Sequence, residues 1–89
     1  MTSTCFIDKE KWDNILQLSL KNSEKKPLLK LLENDNNPTK VKILWNGFSM
    51  STAYTAFIEI NKKLKNLNLK MESLDRGNWP EQRIFLIKI

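Results

Sequence analysis

The sequence predicts a small α+β or α/β domain in which N-terminal helices precede a β-α-β-β arrangement and pack against a mixed sheet of three or four strands. Three observations predict this class. Apolar residues of the first third recur at helical spacing, three later segments alternate or run apolar as strands do, and the longest remaining segment carries an apolar stripe of helical period. Because a chain of 89 residues can bury only one core, we expect a single domain over residues 1–89.

The first helix should begin after Asp8, whose side chain can accept a hydrogen bond from the first turn. Its apolar face would contain Trp12, Ile15, Leu16, Ser19 and Leu20, at i, i+3, i+4, i+7 and i+8. Residues 3–7 are a candidate for a short additional edge strand.

A second, shorter helix is expected after Pro27, because proline lacks a backbone N–H and disfavours helix interiors. This helix would be apolar and would end at the polar stretch "NDNNPT". Its apolar residues are Leu28, Leu29, Leu31 and Leu32.

The second half begins with "KVKILW", residues 40–45, which alternates and therefore predicts a strand. A helix should follow from about Ser51 to Leu64, capped by Ser49 or Ser51. Residues 67–74 alternate again, and "RIFLIKI", residues 83–89, is apolar enough for a strand covered on both faces. Strand, helix and strand predict parallel neighbours, whereas the last two strands should pair antiparallel.

The residue types present argue against catalysis. The chain has no histidine and one cysteine, Cys5, so a disulfide within the chain, a Cys/His metal site and a histidine-activated nucleophile cannot be built. Two glycines are too few for a phosphate-binding loop. We therefore expect a protein that is not an enzyme and that carries no metal and no cofactor.

The expected cellular compartment follows from segment types that the sequence does not show. No basic segment followed by an apolar run is visible at the N-terminus, and no stretch approaches the roughly 20 apolar residues of a membrane helix. We expect a cytoplasmic protein with no membrane partner.

The net charge of +5 is uneven, which favours a polyanionic partner. Residues 1–40 carry seven basic and six acidic side chains, whereas residues 41–89 carry eight basic and four acidic ones. A high overall lysine content would explain the same charge without any partner. The function expected first is nucleic-acid binding, in which Lys42, Lys62, Lys63, Lys65 and Arg76 are predicted to contact the backbone of DNA or RNA.

The stretch "DRGNWPEQ", residues 75–82, places Trp79 in a polar loop between two strands. The indole could cover the end of the core, or it could anchor a protein partner, since Trp and Arg are frequent at the centre of interfaces. The second interpretation predicts a small inhibitor, such as an immunity protein, antitoxin or phage-encoded inhibitor, that binds an acidic protein surface. Its partner-binding residues would be Asp75, Arg76, Trp79, Glu81 and Arg83. A homodimer is also compatible with a small open sheet.

The segment "KILWNGFSMSTAYTAF" contains a predicted strand, Gly47 and a predicted helix in that order. In this order of elements, residues 40–89 loosely resemble the second half of small Alba-type nucleic-acid-binding proteins. The resemblance covers about half the chain and departs at Phe48, where those proteins have a basic residue. It favours the polyanion hypothesis without identifying the chain as a member.

Overall fold

A computed structural model describes residues 7–89 of the chain and shows four helices and a three-stranded sheet around one core. The helices are α1 (Lys9–Leu16), α2 (Asn22–Glu33), α3 (Val41–Leu44) and α4 (Met50–Leu64). The strands are β1 (Thr39–Lys40), β2 (Leu69–Ser73) and β3 (Arg83–Lys88). Short 3₁₀ turns cover Lys65–Leu67 and Trp79–Glu81. The predicted combination of helices and a small sheet is confirmed. None of the helices between residues 7 and 89 is long and apolar enough to cross a bilayer.

The strand order is β1-β3-β2, and β3 is antiparallel to both neighbours. The predicted parallel pairing of the strands that flank α4 is therefore wrong. β1 and β2 do run in the same direction, but β3 lies between them, which gives a split β-α-β arrangement. The most apolar strand takes the central position because Ile84, Phe85 and Leu86 are buried consecutively, with both faces of the strand covered.

The predicted strand at residues 40–45 is also wrong, since only Thr39–Lys40 is extended and Val41–Leu44 is helical. Helical spacing buries Val41, Leu44 and Trp45 together, whereas Ile43 is 48% exposed. In so short a segment the same apolar residues fit both the alternating pattern of a strand and the i, i+3, i+4 pattern of a helix, so the spacing alone does not distinguish the two. The strand on which the resemblance to Alba-type proteins depends is thus a helical turn.

The first helix begins as predicted, because the Lys11 backbone N–H donates to Asp8 Oδ1 over 2.8 Å. It ends at Leu16, so Ser19 and Leu20 lie beyond it. Residues 3–6, which belong to the predicted edge strand and include Cys5, lie outside the described residues.

Helix α2 contains Pro27 in its interior, contrary to the prediction that this proline precedes the helix. Proline cannot donate to the carbonyl of residue i−4, which here is Ser23. The indole Nε1–H of Trp45 donates to the Ser23 carbonyl over 2.6 Å instead. A tertiary contact therefore satisfies the acceptor that the proline leaves open.

Helix α4 covers one face of the sheet. Ser49 is its N-cap and accepts a hydrogen bond from the Thr52 backbone N–H over 3.1 Å. The residues of α4 that are buried in the core are Ala53, Ala56, Ile60 and Leu64.

Candidate functional site

The Trp79 side chain lies at the centre of an aromatic cluster at one end of the core. Its ring centroid is 5.3 Å from that of Phe57 and 5.4 Å from that of Tyr54, both in edge-on geometry, and 6.2 Å from that of Trp45. Trp79 is half-buried, and its Nε1 is buried without a hydrogen-bond acceptor among residues 7–89. The indole thus covers the end of the core while part of the residue remains accessible.

Three ion pairs hold the 75–82 loop that carries Trp79. In the first, Arg83 Nε donates to Asp75 Oδ2 and Nη2 donates to Oδ1, each over 2.8 Å. The hydrogen bonds from Arg83 lower the pKa of Asp75 to about 2. Within the loop, Gln82 Nε2 donates to the Gly77 carbonyl over 2.9 Å, and Gly77 has a φ of +115°, a conformation that favours glycine.

The other two ion pairs join the loop to the end of β1 and to α3. The Glu81 carboxylate binds Lys42 Nζ at 2.5 Å and Lys40 Nζ at 3.2 Å. Hydrogen bonds from Lys42 and then Lys40 lower the pKa of Glu81 below its ordinary value. Both carboxylates of the loop, on Asp75 and Glu81, are therefore neutralised within the chain, whereas Arg76 is exposed and makes no ion pair with any described residue.

Helix α4 and the 3₁₀ turn that follows it present a mixed apolar and basic row of side chains to solvent, which we call the α4 stripe: Tyr54, Ile58 and Lys62 on the helix and Lys65 in the turn. Tyr54 is 54% exposed and Ile58 is 40% exposed, four residues further along the same face. Lys62 contacts Glu59 at 3.5 Å across an exposed side-chain pair, and Lys65 makes no ion pair within residues 7–89. From Tyr54 to Lys65 the stripe spans about 16 Å.

Lys63 has a different environment from its neighbours on α4. Its Nζ binds Oε1 of Glu24 at 2.5 Å and donates to the Ser19 carbonyl over 2.8 Å. The Glu24 side chain is 2% exposed. Lys63 therefore compensates a buried carboxylate and supports the packing of α4 on α2.

Two of the residues predicted to bind nucleic acid are paired with carboxylates of the chain itself. Lys42 lies beside the 75–82 loop and binds Glu81, and Lys63 binds Glu24. Lys62 and Lys65 lie at the C-terminal end of α4, whereas Arg76 belongs to the loop that contacts its N-terminal half through Trp79.

The residues predicted to bind a protein are close together in the structure, but several of them bind one another. Asp75 and Arg83 form an ion pair, Glu81 binds two lysines, and Trp79 is partly core. From the sequence, no role was assigned to Tyr54 or to Ile58. The available signal was that both residues lie off the apolar stripe of α4 at a spacing of four.

A cleft of about 320 Å³ lies between α2 and α4. Its lining residues include Ser23, Glu24, Ser51, Thr52 and Thr55. Among residues 7–89, no three His, Cys, Asp or Glu side chains are grouped so as to hold a metal ion.

Comparison of the chain with protein-family models, with curated proteins and with solved structures gives no match. The fold and the surface geometry alone define the class, a small split β-α-β domain with an exposed apolar and basic helix face beside an aromatic loop.

Proposed function

We propose that this protein is a non-catalytic binding protein that captures an acidic surface of another protein, in the manner of a small inhibitor. The apolar centre of the binding surface is formed by Tyr54, Ile58 and the accessible part of Trp79. The observation that carries the proposal is the exposure of Tyr54 and Ile58 beside the Trp79 cluster.

The apolar centre supports protein recognition because it combines an aliphatic side chain with two aromatic rings. Tyr and Trp are enriched among the residues that dominate binding energies, and they cluster near the centre of interfaces. Because Ile58 is 40% exposed, burying the rest of it would contribute about 1 kcal/mol. Because the rings of Phe57 and Trp45 pack against Trp79, the indole is held in place before a partner binds.

The charge around this centre favours an acidic partner. The Asp75 and Glu81 carboxylates are compensated within the chain, so the basic groups Arg76, Lys62 and Lys65 dominate the rim. The net charge of +5 acts in the same direction. Complementary charge steers association and suppresses unsuitable partners, even where it adds little affinity.

A binding role without catalysis agrees with the ionisable groups of this surface. General acid or base chemistry near neutral pH uses groups whose pKa is tuned toward the working pH. Here hydrogen bonds lower the pKa of Asp75 and of Glu81, which keeps both carboxylates ionised. The ion pairs of Asp75 and Glu81 hold the 75–82 loop in place.

Nucleic-acid binding is the second candidate, and the composition of the α4 stripe supports it. Tyr54 could stack on a base while Lys62 and Lys65 contact phosphates, the combination that single-strand binders use. In this alternative Lys63 would contribute nothing directly, since it binds Glu24.

Photo-crosslinking tests the two candidates. A photoreactive phenylalanine analogue replaces Tyr54 in one preparation and the exposed terminal Ile89 in a matched control, and each is added to an extract of cells that contain the protein. We expect one protein adduct from position 54 that position 89 does not give and that Ile58→Ser weakens. Fluorescence anisotropy with labelled oligonucleotides at about 50 and 200 mM salt covers the alternative. The protein-binding proposal would be overturned if both positions gave the same adducts. It would also be overturned if the protein bound oligonucleotides in a way that requires Lys62 and Lys65 and weakens sharply with added salt.

A further inference from the structure

The cleft between α2 and α4 contains a buried carboxylate with one oxygen that the chain does not use. Glu24 lines the cleft, although its side chain is 2% exposed. Both hydrogen bonds that this carboxylate accepts from residues 7–89 end on Oε1, one from Lys63 Nζ over 2.5 Å and one from the Lys21 backbone N–H over 3.1 Å. Among the described residues, Trp79 Nε1 is the single fully enclosed side-chain nitrogen or oxygen without a partner. Glu24 Oε2 therefore keeps contact with the cleft, where a donor on a ligand can reach it.

Hydroxyl groups from both helices surround this carboxylate. The lining contains four of them, on Ser23 of α2 and on Ser51, Thr52 and Thr55 of α4. Thr52 Oγ1 accepts a hydrogen bond from Ser49 Oγ over 2.9 Å, whereas the other three hydroxyls make no hydrogen bond with any residue between 7 and 89. Because a hydroxyl can donate one hydrogen bond and accept two, these groups can meet either kind of polar atom on a ligand.

The charges around the cleft balance one another, which favours a neutral ligand. Glu24 is paired with Lys63, and Glu59, which also lines the cleft, is paired with Lys62 at 3.5 Å. Lys21 adds one exposed positive charge at the rim. A cationic ligand would meet Lys21 and Lys63, and an anionic ligand would meet the two carboxylates, so each would incur like-charge repulsion.

The dimensions of the cleft suit a small ring rather than an extended molecule. Its volume of about 320 Å³ lies at the lower end of the range of roughly 300–1,000 Å³ that ligand sites occupy. Ala56 is buried and adds an apolar residue to the lining. Hydroxyls beside an apolar residue match a molecule that carries both hydroxyl and C–H groups.

We infer that the cleft between α2 and α4 binds a neutral polyhydroxylated ligand of monosaccharide size, one of whose hydroxyls donates to Glu24 Oε2. The remaining ligand hydroxyls exchange hydrogen bonds with the serine and threonine side chains of the two walls. The ligand is either a free sugar or the terminal sugar of a glycan, since both present the same chemistry. None of the lining residues belongs to the α4 stripe or to the 75–82 loop, so this inference stands or fails separately from the proposed protein-binding surface.

Heteronuclear NMR of the isotope-labelled full chain tests the site. The probes are D-ribose, D-glucose, D-galactose and D-mannose, each beside its methyl glycoside, which mimics the end of a glycan. We expect at least one sugar to shift the backbone amides of the cleft lining saturably, with a Kd of about 1 mM or tighter. Tighter binding of the methyl glycoside would identify a glycan end as the ligand, and tighter binding of the free sugar would identify the free form.

Two substitutions test the two walls of the cleft. Thr55→Val replaces a hydroxyl by a methyl group on α4, and Ser23→Ala removes the hydroxyl on α2. Each should weaken sugar binding about three- to tenfold, the loss expected for one hydrogen bond. The matched control is Ser19→Ala, at an exposed serine outside the cleft lining, which should leave the affinity unchanged.

The inference would be overturned if none of the sugars produced saturable shifts. Shifts that Thr55→Val and Ser23→Ala leave unchanged would overturn it as well, because the ligand would then lie elsewhere. Putrescine serves as a cationic probe, and shifts of the same amides by putrescine without any response to the sugars would show that the cleft selects a cation instead.

Discussion

The indole Nε1 of Trp45 lies 2.6 Å from the carbonyl oxygen of Ser23, four residues before Pro27 in α2. In a regular helix that carbonyl would accept a hydrogen bond from residue 27, which here has no N–H to donate. The contact explains how a 12-residue helix accommodates a proline at its sixth position. It also fixes the position of Trp45, one of the supports of Trp79.

Trp45→Phe should destabilise the protein by about 1–3 kcal/mol, because the Ser23 carbonyl then loses its donor. Pro27→Ala restores a backbone N–H and should recover more stability in the Trp45→Phe background than in the wild type. A double-mutant cycle from urea unfolding should give a coupling free energy of about 0.5–1.5 kcal/mol. Simple additivity of the two substitutions would show that the indole does not replace the missing N–H.

Lys63 and Lys62 should respond very differently to the same substitution. Lys63→Met leaves the Glu24 carboxylate buried without its cation, which we expect to cost about 3–5 kcal/mol in unfolding free energy. Lys62→Met removes a weak exposed pair with Glu59 and should change stability by less than about 0.5 kcal/mol. Chemical denaturation measures both. Equal effects of the two substitutions would contradict the structural role of Lys63.

Stability should fall only at acidic pH. Burial raises the pKa of Glu24, but the hydrogen bonds from Lys63 and from the Lys21 backbone N–H, with the charges of both lysines, outweigh it and lower the pKa overall. The pKa of Asp75 is lowered to about 2. A carboxyl with a depressed folded-state pKa contributes stability that is complete above its unfolded pKa and is lost as pH falls toward the folded value.

The thermal midpoint should accordingly be flat from about pH 8 to 6, since the chain has no histidine, and should fall between about pH 4.5 and 2. Asp75→Asn should make the acid decline shallower, because it removes one of the linked protons. Circular dichroism at a series of pH values measures the midpoint. A main transition near pH 6 would contradict this assignment.

Two substitutions at Trp79 separate its packing from its polar atom. Trp79→Ala removes the contacts with Tyr54, Phe57 and Trp45 and should cost about 2–3 kcal/mol, less than a fully buried tryptophan would. Trp79→Phe keeps an aromatic ring and removes an N–H that is buried without an acceptor among the described residues, so its stability should stay within about 1 kcal/mol of the wild type. A phenylalanine variant as unstable as the alanine variant would show that the indole N–H has a structural partner.

Local chemistry allowed several elements to be predicted correctly. The cap at Asp8, and the cap of α4 that the sequence narrowed to Ser49 or Ser51, depend on side chains that bond within three residues. Helix α4 is also long enough for its period to be unambiguous. The two C-terminal strands were also recognised from their patterns, since β2 alternates and β3 is apolar at its centre. Each of these signals is complete within a short stretch of chain.

The wrong predictions concern segments whose local structure depends on contacts with residues far away in the chain. Residues 40–45 fit a strand and a helix equally well, and only the simultaneous burial of Val41, Leu44 and Trp45 selects the helix. Pro27 is tolerated because of a donor 18 positions away from it, a relationship that no local rule contains.

By itself, the sequence determined the class of fold, the cap of the first helix, the longest helix and the β2–β3 pair, because periodicity and capping are properties of neighbouring residues. Only the tertiary structure decided which charges remain available. It removed Lys63, Asp75 and Glu81 from the candidate contacts by pairing them, and it exposed Tyr54 and Ile58 together on one face. The physical reason is that ion pairs and accessible surface depend on distances between side chains far apart in the chain, which residue spacing does not specify.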